Sequence, residues 1–265
     1  MANNGKARVL TTEQWDNVFV QIEKHRHPEK NEAIMRISRN LGLRAQEIAL
    51  LKLRDVVKLD TRLGQPDRTF TLYEILTVRK DITKGSNAMR TSRSKYVRKS
   101  ITFKVEEFHS MLEKHAALVK AGAEIDPEMF YPAVNKKRKT KGRDLPIVSE
   151  LLKSALIRYV QHRLDKDPYV KPDDPLFLSQ RKRAYHPNSL QEHMALMLRS
   201  WGGVEKAKSH SGRRGVATHI IHDQKESLRT AQTALGHISP TTTVEYEEPP
   251  ENKMTQVLGK IDDGS

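Results

Sequence analysis

Histidine, arginine and tyrosine stand close together near the end of the chain, at spacings that suit work on a phosphate. Ser209-His210-Ser211-Gly212-Arg213-Arg214 is followed by Leu235-Gly236-His237 and then by Tyr246. Breaking a phosphodiester needs a nucleophile, charge stabilisation on the non-bridging oxygens and a proton donor for the leaving oxygen. A phenol oxygen can attack phosphorus and form a covalent phosphotyrosine. Arginine offers a rigid fork of donors that keeps its charge, and histidine donates or shuttles a proton near neutral pH. On a helix, His210 and Arg213 at i and i+3 share one face.

Composition agrees with a polyanionic partner. The 265 residues carry 47 Lys and Arg against 33 Asp and Glu, a formal charge of +14, which makes nucleic acid the first expectation. A chain of this length buries a real core. There is no cysteine, hence no disulfide framework and no thiolate chemistry. No apolar run approaches membrane-spanning length and the N-terminus lacks a secretory apolar core, so a cytoplasmic location is expected, nucleoid-associated if bacterial, with no membrane partner.

The elements that must position these groups are legible from spacing. Thr11-Thr12-Glu13-Gln14 fits a capping box, and Trp15, Val18, Phe19 and Ile22 follow at helical spacing. A second helix runs from about Glu29 to Leu41, with Ile34, Ile37 and Leu41 inward and Gly42 as its stop. The glycine turn delivers Arg44 to a helix anchored by Ile48 and Leu51. From Thr69 the pattern changes, and Phe70, Leu72, Ile75, Leu76 and Val78 favour strands. Helices are expected again from Val105 to about Lys120, from Ser149 to about Leu164, and from Asn188 to Trp201 with Leu190, Met194 and Met197 inward. Ser209 is a good N-cap for the His210 helix, whose far side Val216, Ala217, Ile220 and Ile221 would bury. A short helix, Ser227 to Leu235, stops at Gly236, which aims His237. Ser239-Pro240 starts a last helix, with Tyr246 late on it. The expectation is an α+β domain, mainly α, with a small antiparallel sheet or hairpin. His219 and His222 are joined by no ligand set at metalloenzyme spacing, so neither metal nor cofactor is expected.

The ordered motifs resemble the C-terminal half of a tyrosine recombinase of the phage integrase family, which carries His-x-x-Arg, then Leu-Gly-His, then a nucleophilic tyrosine. Gly42-Leu43-Arg44-Ala45-Gln46-Glu47-Ile48 resembles that family's first arginine motif. The resemblance implies metal-free strand exchange on double-stranded DNA, with Tyr246 attacking the scissile phosphate to leave a 3′-phosphotyrosine. It makes Arg44, Arg213 and His237 transition-state stabilisers, His210 an aid to proton transfer, and Glu47 a buried support for the arginines. The family also places a lysine on a β-hairpin after the first arginine, often within Thr-Lys-Gly. Thr83-Lys84-Gly85 accordingly makes Lys84 the donor to the leaving 5′ oxygen. Lys139 and Lys141 are alternatives, because Lys139-Thr140-Lys141-Gly142-Arg143-Asp144-Leu145-Pro146 also resembles a family hairpin and its returning strand. Either a compact hairpin returns near Val97 to Phe103, or the hairpin spans a large insertion.

Residues 79–104 and 136–143 are dense in lysine and arginine. Like charges repel unless a polyanion neutralises them, so Arg79, Lys80, Arg90, Arg93, Lys95, Lys136, Lys137 and Arg138 are expected DNA contacts. By resemblance, residues 11–248 form the catalytic domain, with a basic insertion within 85–142, after a loose segment 1–10. No room remains for the N-terminal core-binding domain of typical members, as in a natural short form or a catalytic fragment. Past Glu247-Glu248-Pro249-Pro250, an apolar stripe of Met254, Val257, Leu258 and Ile261 marks a tail helix within 249–265. In the family such a tail docks on a neighbouring protomer of a homotetramer. Two other readings stay open, a non-catalytic DNA-binding relative and a type IB topoisomerase-like relaxation of DNA.

Overall fold

The computed structural model describes residues 7–60, 68–83, 104–124 and 141–246. The chain divides into two compact units, residues 1–86 with 140–265, and residues 87–139. Of the second unit the described part is one helix, α4 (Val105–Lys120), and none of its residues is buried.

In the first unit the helices form where sequence periodicity and caps agree. Helix α1 (Thr12–Glu23) opens on a capping box in which Gln14 N–H donates to Thr11 Oγ1 at 3.3 Å and Thr11 N–H donates to Gln14 Oε1 at 3.1 Å. It buries Trp15, Val18, Phe19 and Ile22. Helix α2 (Pro28–Leu41) starts with proline at its first position and ends at Gly42, whose φ of +62° suits glycine. Ile34, Met35 and Ile37 are fully buried in its centre, each such side chain contributing roughly 1.5–3 kcal/mol. Leu10 is also in this core, so the loose N-terminal segment of the sequence reading ends before it.

A short helix, α3 (Ala45–Ala49), leads through a 3₁₀ turn (Leu53–Asp55) into the strands. Strand β1 (Val57–Leu59) pairs antiparallel with β2 (Phe70–Leu72). Strand β3 (Ile75–Val78) pairs antiparallel with β4 (Arg143–Pro146), in the register Leu76↔Leu145 and Val78↔Arg143. Among the described residues the partner of β3 is thus β4, beyond residues 87–139, as in the hairpin with the long connection; a return near Val97 to Phe103 lies outside the described residues. Leu76, Val78 and Leu145 face the core, so burial holds the register.

Helix α5 (Glu150–Lys166) is capped by Ser149, whose Oγ accepts from Leu152 N–H at 3.3 Å, and it packs on α2. Helix α6 (Pro187–Leu196) continues as a π turn over Met197–Trp201 and packs on α3. Helix α7 (Ser211–Thr218), continued by a π turn over His219–Asp223, packs on α2. Helices α8 (Leu228–Leu235) and α9 (Thr241–Val244) complete the described chain.

Three local expectations are corrected. Ser209 does not cap α7. His210 holds the cap position without capping the helix through its side chain, and the Ser211 hydroxyl turns back to accept from Lys208 N–H at 3.0 Å. On α7 and its extension Ala217 is fully buried, while Val216, Ile220 and Ile221 are only half-buried. Ser239 and Pro240 both precede α9, which makes a single turn through Thr241-Thr242-Thr243. Threonine is a poor helix former, and Tyr246 lies just past the helix end, its N–H donating to Thr243 O at 2.9 Å. The tail 249–265 lies outside the described residues.

Candidate active site

The site begins at the end of α2. The Gly42 turn places Arg44 in extended backbone at the cap of α3, where Arg44 N–H donates to Glu47 Oε2 at 2.9 Å. Arg44 Nη1 also donates to Glu47 Oε1 at 3.1 Å. Glu47 is wholly buried, and Arg143 of β4 grips both of its oxygens, Nη1 to Oε1 at 3.1 Å and Nη2 to Oε2 at 2.9 Å.

Arg213 reaches the same place from α7. Its Nη1 donates to Gly42 O at 2.8 Å and its Nη2 to Leu235 O at 2.6 Å, so one guanidinium ties the end of α2 to the end of α8. Helix α7 can come this close because residue 212 is glycine. A Cβ there would lie 2.6 Å from Ser38 O and 2.7 Å from Ser38 C. After Leu235, Gly236 turns the chain at φ +64° and delivers His237. His237 Nδ1 sits 2.9 Å from Thr243 Oγ1, and its ring stacks on Tyr246 at 5.7 Å between centroids. His222 Nε2 lies 3.2 Å from Tyr246 O and backs the tyrosine from the π turn.

Arg44, His210, Arg213, His237 and Tyr246 all line one cleft of about 570 Å³. Lys208 and Arg214 also line it, as does one carboxylate-bearing residue, Glu245. A second concavity, lined by Arg54, Asp55, Tyr73, Glu74, Ile75 and Thr77, holds none of the candidate groups. The lysines are a different matter. Lys84 and Lys139 lie outside the described residues, and Lys141 is exposed just before β4 and does not line the cleft. Among the expected DNA contacts, Lys80 is exposed. Arg79 is committed to the fold: its Nε donates to both Asp55 oxygens at 2.9 and 3.1 Å, Nη1 to Asp81 at 2.7 Å and Nη2 to Leu50 O at 3.0 Å. Arg90, Arg93, Lys95, Lys136, Lys137 and Arg138 lie outside the described residues.

The electrostatics favour an anion. Burial, then the Arg44 charge, pulls Arg213 down to about 10 despite Glu47. Burial, then Arg213, Arg44 and Arg143, pulls His237 down to about 3. Burial pushes the Glu47 carboxyl upward, but Arg143, Arg44 and Arg213 together hold it below its ordinary value. Burial opposes charge of either sign, but the mutual repulsion of Arg213, Arg44 and Arg143 is the part that an added negative charge would relieve.

These shifts predict acid lability. His193, with Nε2 at 2.9 Å from Asn31 Oδ1, is likewise lowered to about 4, by burial and then by Lys30 and His27. Both histidines start from 6.5, so between about 4 and 6.5 the unfolded chain binds more protons than the native one. Stability is therefore fully present above pH 6.5 and falls as the pH drops toward 4. Melting curves at pH 5, 6 and 7 are expected to show Tm rising with pH, and His193→Gln to flatten part of that slope.

Arg143 was not a sequence candidate, although its segment was read for its lysines. The signal was there: strand alternation puts Arg143 on the same face as the buried Leu145, and an inward-facing arginine needs an acidic partner.

The sequence profile of the phage integrase family matches residues 103–253, a span that holds His210, Arg213, His237 and Tyr246 but not Arg44. Tyrosine recombinase XerC of Methylobacterium sp. (strain 4-46) is 34% identical over 114 residues, which are 43% of this chain and 33% of that relative. Tyrosine recombinase XerC of Agrobacterium fabrum is 36% identical over 80 residues, 30% of this chain and 25% of the relative. The chain thus matches a third or less of the length of these relatives. Among solved structures, the XerA recombinase superposes with a TM-score of 0.57 at 18% identity, over 97% of this chain and 65% of that one. The Tn1549 transposon integrase in complex with transposon right end DNA gives 0.55 at 15% identity, over 98% and 68%. At such identities the likeness is one of fold.

Proposed function

Because the chain belongs to the phage integrase family, we propose that it is a site-specific DNA recombinase that cleaves and rejoins strands through a 3′-phosphotyrosine. The observation that carries this reading is the lining of one cleft by Arg44, His210, Arg213, His237 and Tyr246. These are the groups phosphodiester cleavage requires, brought together from α3, α7 and the segments flanking α9.

In this reading the Tyr246 oxygen attacks the scissile phosphorus and the bond to the 5′ oxygen breaks. His210 takes the phenol proton. Arg44 and Arg213 hold the non-bridging oxygens as negative charge builds, which is the largest single contribution such a site can make. His237 stays neutral at physiological pH. In the tautomer whose Nδ1 accepts from the Thr243 hydroxyl, the proton sits on Nε2, and the uncharged imidazole can donate to the phosphate. Lys84, or Lys139 or Lys141 in its place, protonates the departing 5′ oxygen. The phosphotyrosine keeps the energy of the broken bond, so a 5′ hydroxyl from a second duplex reverses the step without ATP. The lysine and arginine runs within residues 80–143, Arg79 apart, grip the backbone of the DNA. The protein acts on the chromosome in the cytoplasm as a homotetramer, in which the tail 249–265 docks on a neighbouring copy. Among the described residues no helix is long and apolar enough to cross a membrane.

Nicked substrates whose cleaved 5′ fragment diffuses away test the reading. A covalent protein–DNA adduct is expected, with the DNA mapped to the Tyr246 peptide and absent from Tyr246→Phe. Binding without any adduct would leave a non-catalytic DNA-binding relative. Relaxation of any supercoiled plasmid without site preference would point to topoisomerase IB-like action.

A further inference from the structure

Glu47 is shared by two guanidinium groups that are placed very differently. Arg44 gives it one side-chain bond, at 3.1 Å, and lines the cleft with a side chain 17% exposed. Arg143 gives it two, at 3.1 and 2.9 Å, from a side chain 6% exposed that does not line the cleft. Arg143 Nε is buried and, among the described residues, has no hydrogen-bond partner. A buried position with one donor unsatisfied is costly, and the cost is borne where Arg143 can span both oxygens of Glu47. The same guanidinium backs onto the turn that carries His237. A Cβ on Gly236 would lie 2.8 Å from Arg143 Nη1 and 2.9 Å from its Cδ.

A buried carboxylate draws in whatever fork is within reach, and bidentate pairing is the favoured geometry. Were Arg143 missing, Arg44 would be the guanidinium left to fold onto Glu47 with both nitrogens, turning its donors away from the cleft. Resting on the recombinase reading above, we propose that Arg143 is a positioning residue for the phosphate clamp. By occupying Glu47 on both oxygens it leaves Arg44 directed at the DNA, and by filling the space against Gly236 it sets the turn that presents His237. Because Arg143 opens β4, the clamp and the strand that follows Lys141 are joined through one side chain.

The experiment compares covalent adduct formation at saturating nicked DNA, and DNA affinity, for the full chain and three variants. Arg143→Met is expected to slow cleavage roughly 100-fold, the usual effect of misplacing a reacting group by about an ångström, with affinity unchanged because Arg143 does not face the cleft. Arg143→Lys keeps the charge but cannot span two oxygens, and is expected to lose roughly tenfold; it carries the test if the methionine variant does not fold. Adding Glu47→Gln to Arg143→Met removes the stranded charge that captures Arg44 and is expected to restore most of the rate. A merely structural Arg143 would not be rescued in this way. Wild-type cleavage by both single variants, a parallel loss of affinity, or no rescue in the double variant would overturn the proposal alone. Absence of an adduct from the unmodified chain would overturn the recombinase reading and this proposal with it.

Discussion

Arg213→Ala is expected to reduce cleavage roughly a thousandfold, the effect of removing a charged donor from a developing phosphate charge, and to destabilise the fold as well. The two losses have separate causes in one side chain. The guanidinium lines the cleft, and its Nη1 and Nη2 satisfy Gly42 O and Leu235 O. Truncation leaves both buried carbonyls without their donor, at about 1–3 kcal/mol each. Part of this is offset, because Arg213 is itself held below its ordinary value by burial and by its arginine neighbours, and that repulsion disappears with it. A net loss of about 2–3 kcal/mol corresponds to a Tm lower by roughly 5–10 °C for a domain of this size. Arg213→Lys separates the causes. It keeps a charge at the cleft, but one ammonium does not reach two carbonyls in a fixed fork, so cleavage is expected to fall less than stability. Thermal melts alongside single-turnover cleavage read both; an alanine variant with native Tm would remove the tie between α2 and α8 from the account.

Gly212→Ala is expected to damage the protein nearly as much without touching any reacting group. The added Cβ would lie 2.5 Å from Ser38 Oγ, 2.6 Å from Ser38 O and 2.7 Å from Ser38 C. Two of these are backbone atoms of α2, so no rotamer change relieves the clash and α7 must move off α2. Overpacking of this kind costs about 1–3 kcal/mol, and the shift carries Arg213, the next residue, out of line. Cleavage is expected to fall roughly 100-fold. Two comparisons make the expectation specific. Gly215→Ala, on the same helix with nothing within 4 Å of its would-be Cβ, is expected to be neutral or stabilising by about 0.5–1 kcal/mol through helix propensity. Ser38→Ala is not expected to rescue Gly212→Ala, since the carbonyl remains. Equal behaviour of the two glycine variants would refute the close-approach argument.

The proposed chemistry is legible in the sequence because it is written in residue types and their order. His210, Arg213, His237 and Tyr246 fall within one short stretch, and the glycine turn before Arg44 marks it as presented rather than packed. The helices were legible because their apolar periods and caps are local: Thr11 with Gln14, the buried faces of α1, α2 and α5, and the glycine stops at 42 and 236. Where local signals competed, boundaries moved, as at Ser209 against Ser211 and at the threonine run before Tyr246.

Residue identity and short-range spacing thus determined the family motifs, the reaction proposed from them and most of the helices that hold them. Only the tertiary structure decided which described strand pairs with β3, that Arg143 locks Glu47, that Arg79 is bound into the fold, and that α7 touches α2 through Gly212. Each of these joins residues far apart in the chain. Helix periods and caps repeat within a few residues and leave a pattern, whereas a contact across a long insertion is set by burial and charge pairing after collapse and leaves no period to read.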